Sequence, residues 1–402
     1  MIEPVLLSPY LRPTLEAGEL VYDNGVTEGR ERLSPLEHQV VRALWDPVAG
    51  PIDLQDLYAQ HGRELVRQSL EALRRRAMIF SSRQQCDQAL DTAMGVNVPE
   101  PPFVDQVELT NACPMRCGFC PRGIGGRITR PTGFMDFALF ERLLGELNPW
   151  QARYRMIELH HLGESLLHPE LTRFVAAASE RGIPTELAVN PSLLRPDLGR
   201  SLVRAGLRRL VASLDGMDDA SLAAIRGPAA RYRDAERNLL ALLEELAKQR
   251  QPMKLVIQML ELERNRAERE RFFERWGSLG LPYVEAYLKK LDGPDPDTGR
   301  THPEPEIYLC NYPWRSVVVL WDGRVVPCCR DHDAALVLGQ LQGQSLRELW
   351  RSAPVRGLRQ AHRNGDCAPP HPCADCGWRR QRFAAAMAAR HPAKVRYSPL
   401  QW

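Results

Sequence analysis

Lysine is almost absent from this chain. Of 53 basic residues in 402, only Lys248, Lys254, Lys289, Lys290 and Lys394 are lysine, and the rest are arginine. The skew reads as GC-rich coding and carries no functional weight. A charge excess is missing as well. The formal net charge of +3 is too small for a nucleic-acid binder, which shows a strongly basic face. No apolar run reaches the ~20 residues that a membrane-spanning helix requires, which excludes an integral helical membrane protein. The opening MIEPVLLSPYLRP has no basic region followed by an apolar core. No secretory signal is read there, and the expectation is a cytoplasmic chain. Internal repeats and low-complexity tracts are also lacking. What remains is 44 % hydrophobic and 26 % charged, globular chemistry with length for two or three domains.

Cysteine is the residue in excess. A reducing compartment disfavours structural disulfides, so clustered thiols point to metal or redox chemistry. The ten cysteines are Cys86, then Cys113, Cys117 and Cys120, then Cys310, Cys328, Cys329, Cys367, Cys373 and Cys376. Thiols that serve only as small buried hydrophobes would not bunch in this way.

The organisation along the chain reads in four parts. Residues 1–95 form a small unit. LRPTLEAGELVYDNGV is read as a short hairpin with Asp23-Asn24-Gly25 as turn chemistry. A helix follows with Ser34 and Glu37 as a capping box and Val40, Val41, Leu44 and Trp45 at helical spacing. In the third helix Leu65, Leu70 and Leu73 are expected on one face. Hairpin plus three helices is a winged-helix-like pattern. Residues 96–300 alternate strand and helix through six candidate strands, VDQVELT, RMIELHHLG, PTELAVN, LRRLVASLD, MKLVIQML and PYVEAYL. This predicts an α/β fold with a parallel sheet, a partial (β/α)6 barrel of the TIM type. Ligands in such sheets sit at the carboxyl ends of the strands. Residues 301–380 hold a small hairpin turning at Asp322-Gly323, a short helix with Ser345 as N-cap, and the Cys-rich loop CAPPHPCADCGW. Residues 381–402 are a C-terminal tail.

Cys113-x3-Cys117-x2-Cys120 lies directly after the first strand of the barrel region. A loop there can wrap three thiolates around one metal centre, and thiolates are the soft ligands that iron–sulfur clusters take. Three ligands on a 4Fe–4S cluster leave one iron open to a small molecule. Structural zinc needs four ligands, and this loop has no His to complete them.

With Phe119 before the last Cys, the loop resembles the signature of the radical S-adenosylmethionine (radical SAM) superfamily, Cys-x3-Cys-x-aromatic-Cys. The resemblance covers roughly residues 103–290 as a pattern of elements. It implies that the open iron binds the amino and carboxylate groups of S-adenosylmethionine. It also implies that one electron cleaves that cofactor to a 5′-deoxyadenosyl radical, which takes a hydrogen atom from the substrate. Further positions follow in order. Gly163 and Glu164 resemble the family's Gly-Gly-Glu segment, with Leu162 in place of the first Gly. Glu164 is thereby implied to hold the cofactor's ammonium. Asn190 falls where related enzymes have Asn-Gly, with Pro191 here instead. Ser213 and Arg226 resemble the Ser-x-Asp…Arg stretch, Ser213 toward the ribose and Arg226 toward the carboxylate. Taken singly, Glu164 also reads as a loop acid, Ser213 as a strand-end cap and Arg226 as a helix-surface charge.

Cys310, Cys328, Cys373 and Cys376 suffice for a second cluster, and the same spacing would serve a four-Cys zinc knuckle. Cys310…Gly323-x4-Cys328 resembles the SPASM/twitch domain of radical SAM enzymes, which implies an auxiliary 4Fe–4S cluster. The Cys left over are too few for a further fully cysteine-ligated one, so one auxiliary cluster is expected. Cys329 and Cys367 compete with Cys328 and Cys373 as ligands. Cys329 is also a candidate hydrogen-atom donor to a substrate radical, or a thiol packed under the hairpin. Cys86 reads as a structural residue of the first unit, and Asp292 as a turn residue. Tyr308, Asn311 and Trp314 flank Cys310 as candidate pocket residues.

The N-terminal unit resembles leader-peptide-binding domains of the PQQ-chaperone type, where a peptide adds a strand to a hairpin edge. The leading expectation is therefore a radical SAM enzyme that crosslinks, oxidises or epimerises a ribosomally made precursor peptide, supplied with electrons by a flavodoxin- or ferredoxin-type donor. A second is a dehydrogenase or epimerase of a small molecule such as an aminocyclitol or amino sugar. A third is a non-enzymatic metal-bound scaffold that binds peptides. Neither nucleic acid nor membrane is expected as a partner.

Overall fold

The computed structural model describes residues 6–7, 11–16, 19–24, 29–45, 54–76, 78–80, 85, 100–123, 128–250, 253–290, 310, 312–364 and 372–376. Cys86, Cys367, Asp292, Tyr308 and Asn311 lie outside them. The chain divides into two compact units, one of residues 1–98, 303–314 and 360–402 and the other of residues 99–302 and 315–359. Among the described residues no helix is long and apolar enough to cross a membrane.

The first unit contains β1 (Leu6–Leu7), β2 (Leu11–Glu16), β3 (Glu19–Asn24), β4 (Gly29–Glu31), α1 (Pro35–Trp45), α2 (Leu54–His61), α3 (Arg63–Arg75) and β5 (Ile79–Phe80). β2, β3 and β4 form an antiparallel sheet with Glu16 opposite Glu19 and Asn24 opposite Gly29. Asp23 and Asn24 end the second strand of this sheet and a third strand follows, where a single hairpin was expected; Gly25 lies outside the described residues. α1 begins at the expected capping box: Ser34 N–H donates to Glu37 Oε2 at 2.8 Å, and Glu37 N–H to Ser34 Oγ at 3.3 Å. In α3 the buried line is Val66, Leu70 and Leu73, packed with Tyr22, Val40 and Val41. Leu65 faces solvent, which corrects the expected face. Val66 is ~100° further round the helix, and that rotation brings it under α1.

The second unit is built on β6 (Phe103–Val107), α4 (Phe137–Glu146), β7 (Ile157–Glu158), α5 (Leu171–Glu180), β8 (Thr185–Val189), α6 (Pro196–Arg204), β9 (Arg209–Ser213), α7 (Asp219–Arg226), α8 (Tyr232–Leu246), β10 (Lys254–Glu261), α9 (Arg269–Trp276), β11 (Val284–Lys290), β12 (Ser316–Val319), β13 (Arg324–Val326), β14 (Gly339–Gln340) and α10 (Leu346–Trp350). All six expected strands, β6 to β11, are present and run parallel. The strand order is β11-β10-β9-β8-β7-β6-β12-β13-β14, so the sheet is not closed. β12 and β13 are the hairpin expected at Asp322-Gly323. Gly323 sits at φ +82°, the left-handed conformation that such a turn requires. Beyond that expectation, β12 pairs in parallel with β6, so the hairpin continues the same sheet.

The two faces of this sheet differ. Leu187, Leu210 and Leu255 stand in register, with Ile157 and Ile257 on the same face, and all are buried. α5 packs on β8 and α9 on β10. Gln106, Glu158, Glu186 and Arg209 stand in register on the opposite face, joined further along by Ser213, Gln258 and Tyr287. A row of five fully buried strands would carry apolar residues on both faces. Here one face carries this polar row.

Candidate active site

The loop after β6 is pinched shut at its base. Thr110 Oγ donates to the Gly133 carbonyl at 2.7 Å and accepts Ala112 N–H at 3.0 Å. Asn111 bonds Pro131 O through Nδ2 and Gly133 N through Oδ1, at 2.9 and 3.0 Å. Cys113, Cys117 and Cys120 lie within this closed loop. Cys120 N–H donates to Cys117 O at 3.1 Å, and Gly123 N–H to Cys120 O at 2.8 Å. A Cβ at Gly123 would stand 2.1 Å from Cys117 O, so the turn is tight enough to require glycine. Cys117 is buried and its two companions half-buried. Burial pushes the Cys113 thiol up to about 11, and the two neighbouring Cys add to the rise. Burial also raises Cys117, with Arg226 acting the other way. Such thiols stay protonated until a metal takes the proton's place. Among the described residues, no three Cys, His, Asp or Glu side chains stand close enough to hold a single ion. A four-iron cluster takes one thiolate per iron and has no need of that closeness.

The loop after β7 meets this one through Gly163. Its φ is +91°, and a Cβ would stand 2.4 Å from Thr110 O, so only glycine allows the two loops to touch. Glu164 N–H donates to Ala112 O at 2.8 Å. The Glu164 carboxylate is buried and accepts Leu166 N–H at 3.1 Å and Asn190 N–H at 2.8 Å. Burial nevertheless pushes its pKa to about 7, with those two bonds and Arg226 pulling against it. A buried carboxylate with this balance suits a cation that arrives from outside.

Asn190 follows β8, and its Nδ2 meets Met115 Sδ at 3.3 Å, back on the cysteine loop. Ser213 ends β9 and is buried. Arg226 ends α7, its Nε donating to Asp215 Oδ2 at 2.6 Å. Its carbonyl accepts Arg116 N–H at 2.8 Å. Burial opposes the Arg226 charge, but Asp215, Cys117 and Glu164 together more than offset this and the guanidinium pKa is raised. The Arg226 guanidinium lies 5.5 Å from the Phe119 ring centroid, and Phe119 packs on Ile225, Leu260 and Leu262. Cys113, Cys117, Cys120, Phe119, Gly163, Glu164, Asn190, Ser213 and Arg226 thus gather at the carboxyl ends of β6 to β9.

The later cysteines are distributed differently. Cys328 and Cys329 follow β13 in the second unit, while Cys310, Cys373 and Cys376 belong to the first. Cys376 N–H donates to Cys373 O at 3.3 Å, and Asp331 N–H to Cys328 O at 3.3 Å. Cys329 packs against Val318, Leu320 and Val326, the packing role read for it beside the donor role. The segment after Cys329 is tied to the first loop by a buried clip. Arg130 Nη1 and Nη2 donate to the two Glu108 carboxylate oxygens at 2.8 and 2.7 Å, and its Nε to His332 O at 2.8 Å. Asp333 accepts from Thr129 N, Thr129 Oγ and Arg130 N at 2.8, 2.6 and 3.1 Å.

Sequence reasoning missed Asp215, which holds Arg226, and Met115, which touches Asn190. It also missed the polar face of the sheet. The signal for that face is a polar residue at every second position, Gln106 and Glu108, Glu158 and His160. A period of two marks one face of a strand.

Comparisons with known proteins agree with this layout. Residues 107–272 match the model of the Radical SAM superfamily, and residues 310–377 match SPASM, an iron–sulfur cluster-binding domain. PqqA peptide cyclase of Gluconobacter oxydans is 24% identical over 314 residues, covering 70% of this chain and 84% of that protein. The S-adenosyl-L-methionine-dependent 2-deoxy-scyllo-inosamine dehydrogenase of Niallia circulans is 21% identical over 277 residues, covering 67% and 91%. The crystal structure of Streptococcus suis SuiB bound to S-adenosylmethionine matches 99% of this chain and 100% of that one, at a TM-score of 0.50 and 14% identity, a likeness of fold.

Proposed function

We propose, from the premise that this chain is a radical SAM enzyme with a C-terminal SPASM domain, that it modifies a residue of a precursor peptide. Its cofactors are a 4Fe–4S cluster, S-adenosylmethionine and auxiliary iron–sulfur. Together, when bound, they supply an electron and a carbon-centred radical able to take a hydrogen atom.

In this reading Cys113, Cys117 and Cys120 hold the cluster and leave one iron without a protein ligand. The donor set supports it, being three thiols on one closed loop with no His. Glu164 receives the cofactor's ammonium, and its buried carboxylate, held by two backbone N–H groups, is already aimed by the fold. Arg226, kept charged by Asp215, faces the carboxylate. Asn190 and Ser213 approach the ribose from the ends of β8 and β9, and Phe119 keeps water from one side. Cys310, Cys328, Cys373 and Cys376 are assigned to one auxiliary 4Fe–4S cluster, whose four ligands close it to small molecules. We place the enzyme in the cytoplasm, where exposed thiols stay reduced and a flavodoxin- or ferredoxin-type protein can deliver the electron.

The observation that carries the peptide reading is the N-terminal sheet. Among the described residues β2 and β4 are its edges, and an edge strand offers unpaired N–H and C=O groups to an extended peptide. β2 carries Pro13, which has no N–H to give, so β4 (Gly29–Glu31) is the edge we assign. The likeness to PqqA peptide cyclase agrees with this reading. The polar sheet face favours a second reading, a hydroxylated or aminated small molecule, in line with the dehydrogenase relative.

The test uses the full chain with its iron and sulfide restored without oxygen. It is given S-adenosylmethionine, a strong reductant and synthetic copies of short peptides encoded beside its gene. A mass change in a peptide, dependent on the cofactor, is expected. Turnover of 2-deoxy-scyllo-inosamine with no peptide changed would favour the second reading.

A further inference from the structure

Four side chains join across β6 and β7 on the polar face, and their partners fix every proton among them. Ala188 N–H donates to His160 Nδ1 at 3.2 Å, so the His160 proton sits on Nε2, 3.5 Å from Glu158 Oε2. Gln106 Nε2 donates to the same oxygen at 2.5 Å. Gln106 therefore turns its carbonyl oxygen to His161 Nδ1 at 2.9 Å. An amide oxygen only accepts, so Nδ1 carries the His161 proton and Nε2 carries a lone pair.

That Nε2 is buried and has no hydrogen-bond partner among the described residues. The nearest described ring is His332, at a centroid distance of 5.7 Å. Burial, with His332 and Arg130 close by, lowers the His161 pKa to about 3, so the ring is neutral across the physiological range. A buried acceptor with no partner is a net cost to a fold and calls for a reason. Core packing supplies none, because three further polar residues serve to aim this lone pair. At the other end of the array the Glu158 side chain is 38% exposed. The arginine in its register row, Arg209, is engaged by Glu186 at 3.1 Å.

We propose that this array is a substrate anchor in which His161 Nε2 and the Glu158 carboxylate receive a group rich in hydrogen-bond donors, a hydroxyl or an ammonium. The anchor rests on the reading that the polar face holds the substrate. Both groups are acceptors, so a carboxylate or phosphate finds no hydrogen-bond donor in them, and the site selects by exclusion as well as by attraction. The donor group has two sources, a free hydroxylated amine or the side chain of Ser, Thr or Lys in a peptide. His161 is here a binding residue, with Gln106 the positioning residue behind it.

The experiment measures equilibrium binding to the reconstituted full chain with S-adenosylmethionine present and no reductant. The probes are 2-deoxy-scyllo-inosamine against its permethylated form, and the N-acetyl amides of serine, threonine and lysine against those of alanine, valine and norleucine. Donor-bearing probes should bind about three- to tenfold tighter than their donor-free counterparts, the worth of one hydrogen bond in a protected site. His161→Phe and Gln106→Leu should each diminish that advantage, and the Glu158 carboxylate supplies what remains. The double variant should lose no more than either alone, because the array acts as one unit. His161→Gln, which returns an acceptor oxygen, should restore part of it. An advantage confined to the cyclitol, or to the amides, identifies the source and supports the anchor either way. Equal binding of donor-bearing and donor-free probes overturns it, as does an advantage undiminished in both His161→Phe and Gln106→Leu. S-adenosylmethionine cleavage by the reduced wild-type chain without any probe is scored separately. Cleavage without donor preference removes the anchor alone, and donor preference without cleavage removes the radical reading alone.

Discussion

The proposed role of Glu164 gives cofactor binding a pH dependence whose sign can be worked out in advance. Its carboxyl is buried and its pKa pushed to about 7, so near neutrality the empty site holds a mixture of neutral and ionised forms. Only the ionised form attracts an ammonium. With a midpoint near 7, about one molecule in eleven carries the charge at pH 6, and affinity should fall roughly tenfold for each further unit of acidification. The thiolates of a bound cluster add negative charge nearby, since Cys113 and Glu164 already sense each other. That moves the midpoint up and not down. The assay is equilibrium binding of S-adenosylmethionine to the reconstituted chain from pH 5.5 to 7.5, below the range of ~7.7–8.0 in which α-amino groups lose their proton. Affinity should rise with pH throughout. Glu164→Gln keeps one acceptor oxygen for Leu166 or Asn190, so it loses the charge and one of the two backbone hydrogen bonds. It should flatten the profile and weaken binding at pH 7.5 by about 10- to 150-fold, the worth of a charge-assisted hydrogen bond. A flat wild-type profile, or a Glu164→Gln profile as steep as the wild type, would refute the assignment of Glu164.

Three further outcomes are expected. Arg130→Met leaves Glu108 buried without its partner, at side-chain exposures of 1% and 0%. This should cost ~3–5 kcal/mol and lower the melting midpoint by roughly 6–20 °C. Glu108→Leu combined with Arg130→Met should recover most of the loss, whereas a shift within ~2 °C for Arg130→Met alone would mean that the pair is not a structural clip. Gly163→Ala forces a left-handed backbone and a Cβ 2.4 Å from Thr110 O. It should cost at least ~1–3 kcal/mol and displace Glu164, weakening cofactor binding. Gly145→Ala, in α4 with open space around it, should stabilise by ~0.5–1 kcal/mol in the same melting assay and serves as the control. Cys329→Ala should cost ~1 kcal/mol through lost packing on Val318, Leu320 and Val326 and leave turnover intact. If the product instead stops incorporating deuterium from solvent, Cys329 is a hydrogen donor and the packing account is wrong.

The six parallel strands were legible because each contains β-branched residues and the first five lead into an amphipathic helix, a pattern that leaves few other topologies. The gathering of Cys113, Gly163, Asn190 and Ser213 at the carboxyl ends was legible for the same reason, since each lies at or after the end of its own strand. Less legible was anything that depends on which strands meet. β12 joining β6 is a pairing between residues more than two hundred apart, and no local pattern encodes it. Leu65 and Val66 are both apolar neighbours, and the tilt of α3 against α1 decides between them. Asp215 lay inside a noticed motif, yet its bond to Arg226 joins a strand end to a helix end. The array from His161 to His160 went unread because its members are polar for the sake of one face of the sheet, while the search for strands weighed their apolar neighbours.

The most direct measurement is made on the chain refolded with iron and sulfide under strict exclusion of oxygen. Iron is counted, and 5′-deoxyadenosine is followed after a strong reductant is added with S-adenosylmethionine. About eight irons per chain and steady release of 5′-deoxyadenosine are expected, with about four irons and no release once Cys113, Cys117 and Cys120 are all changed to alanine. Release that survives the loss of those three thiols, or a wild-type chain that holds zinc in place of iron, would contradict the account.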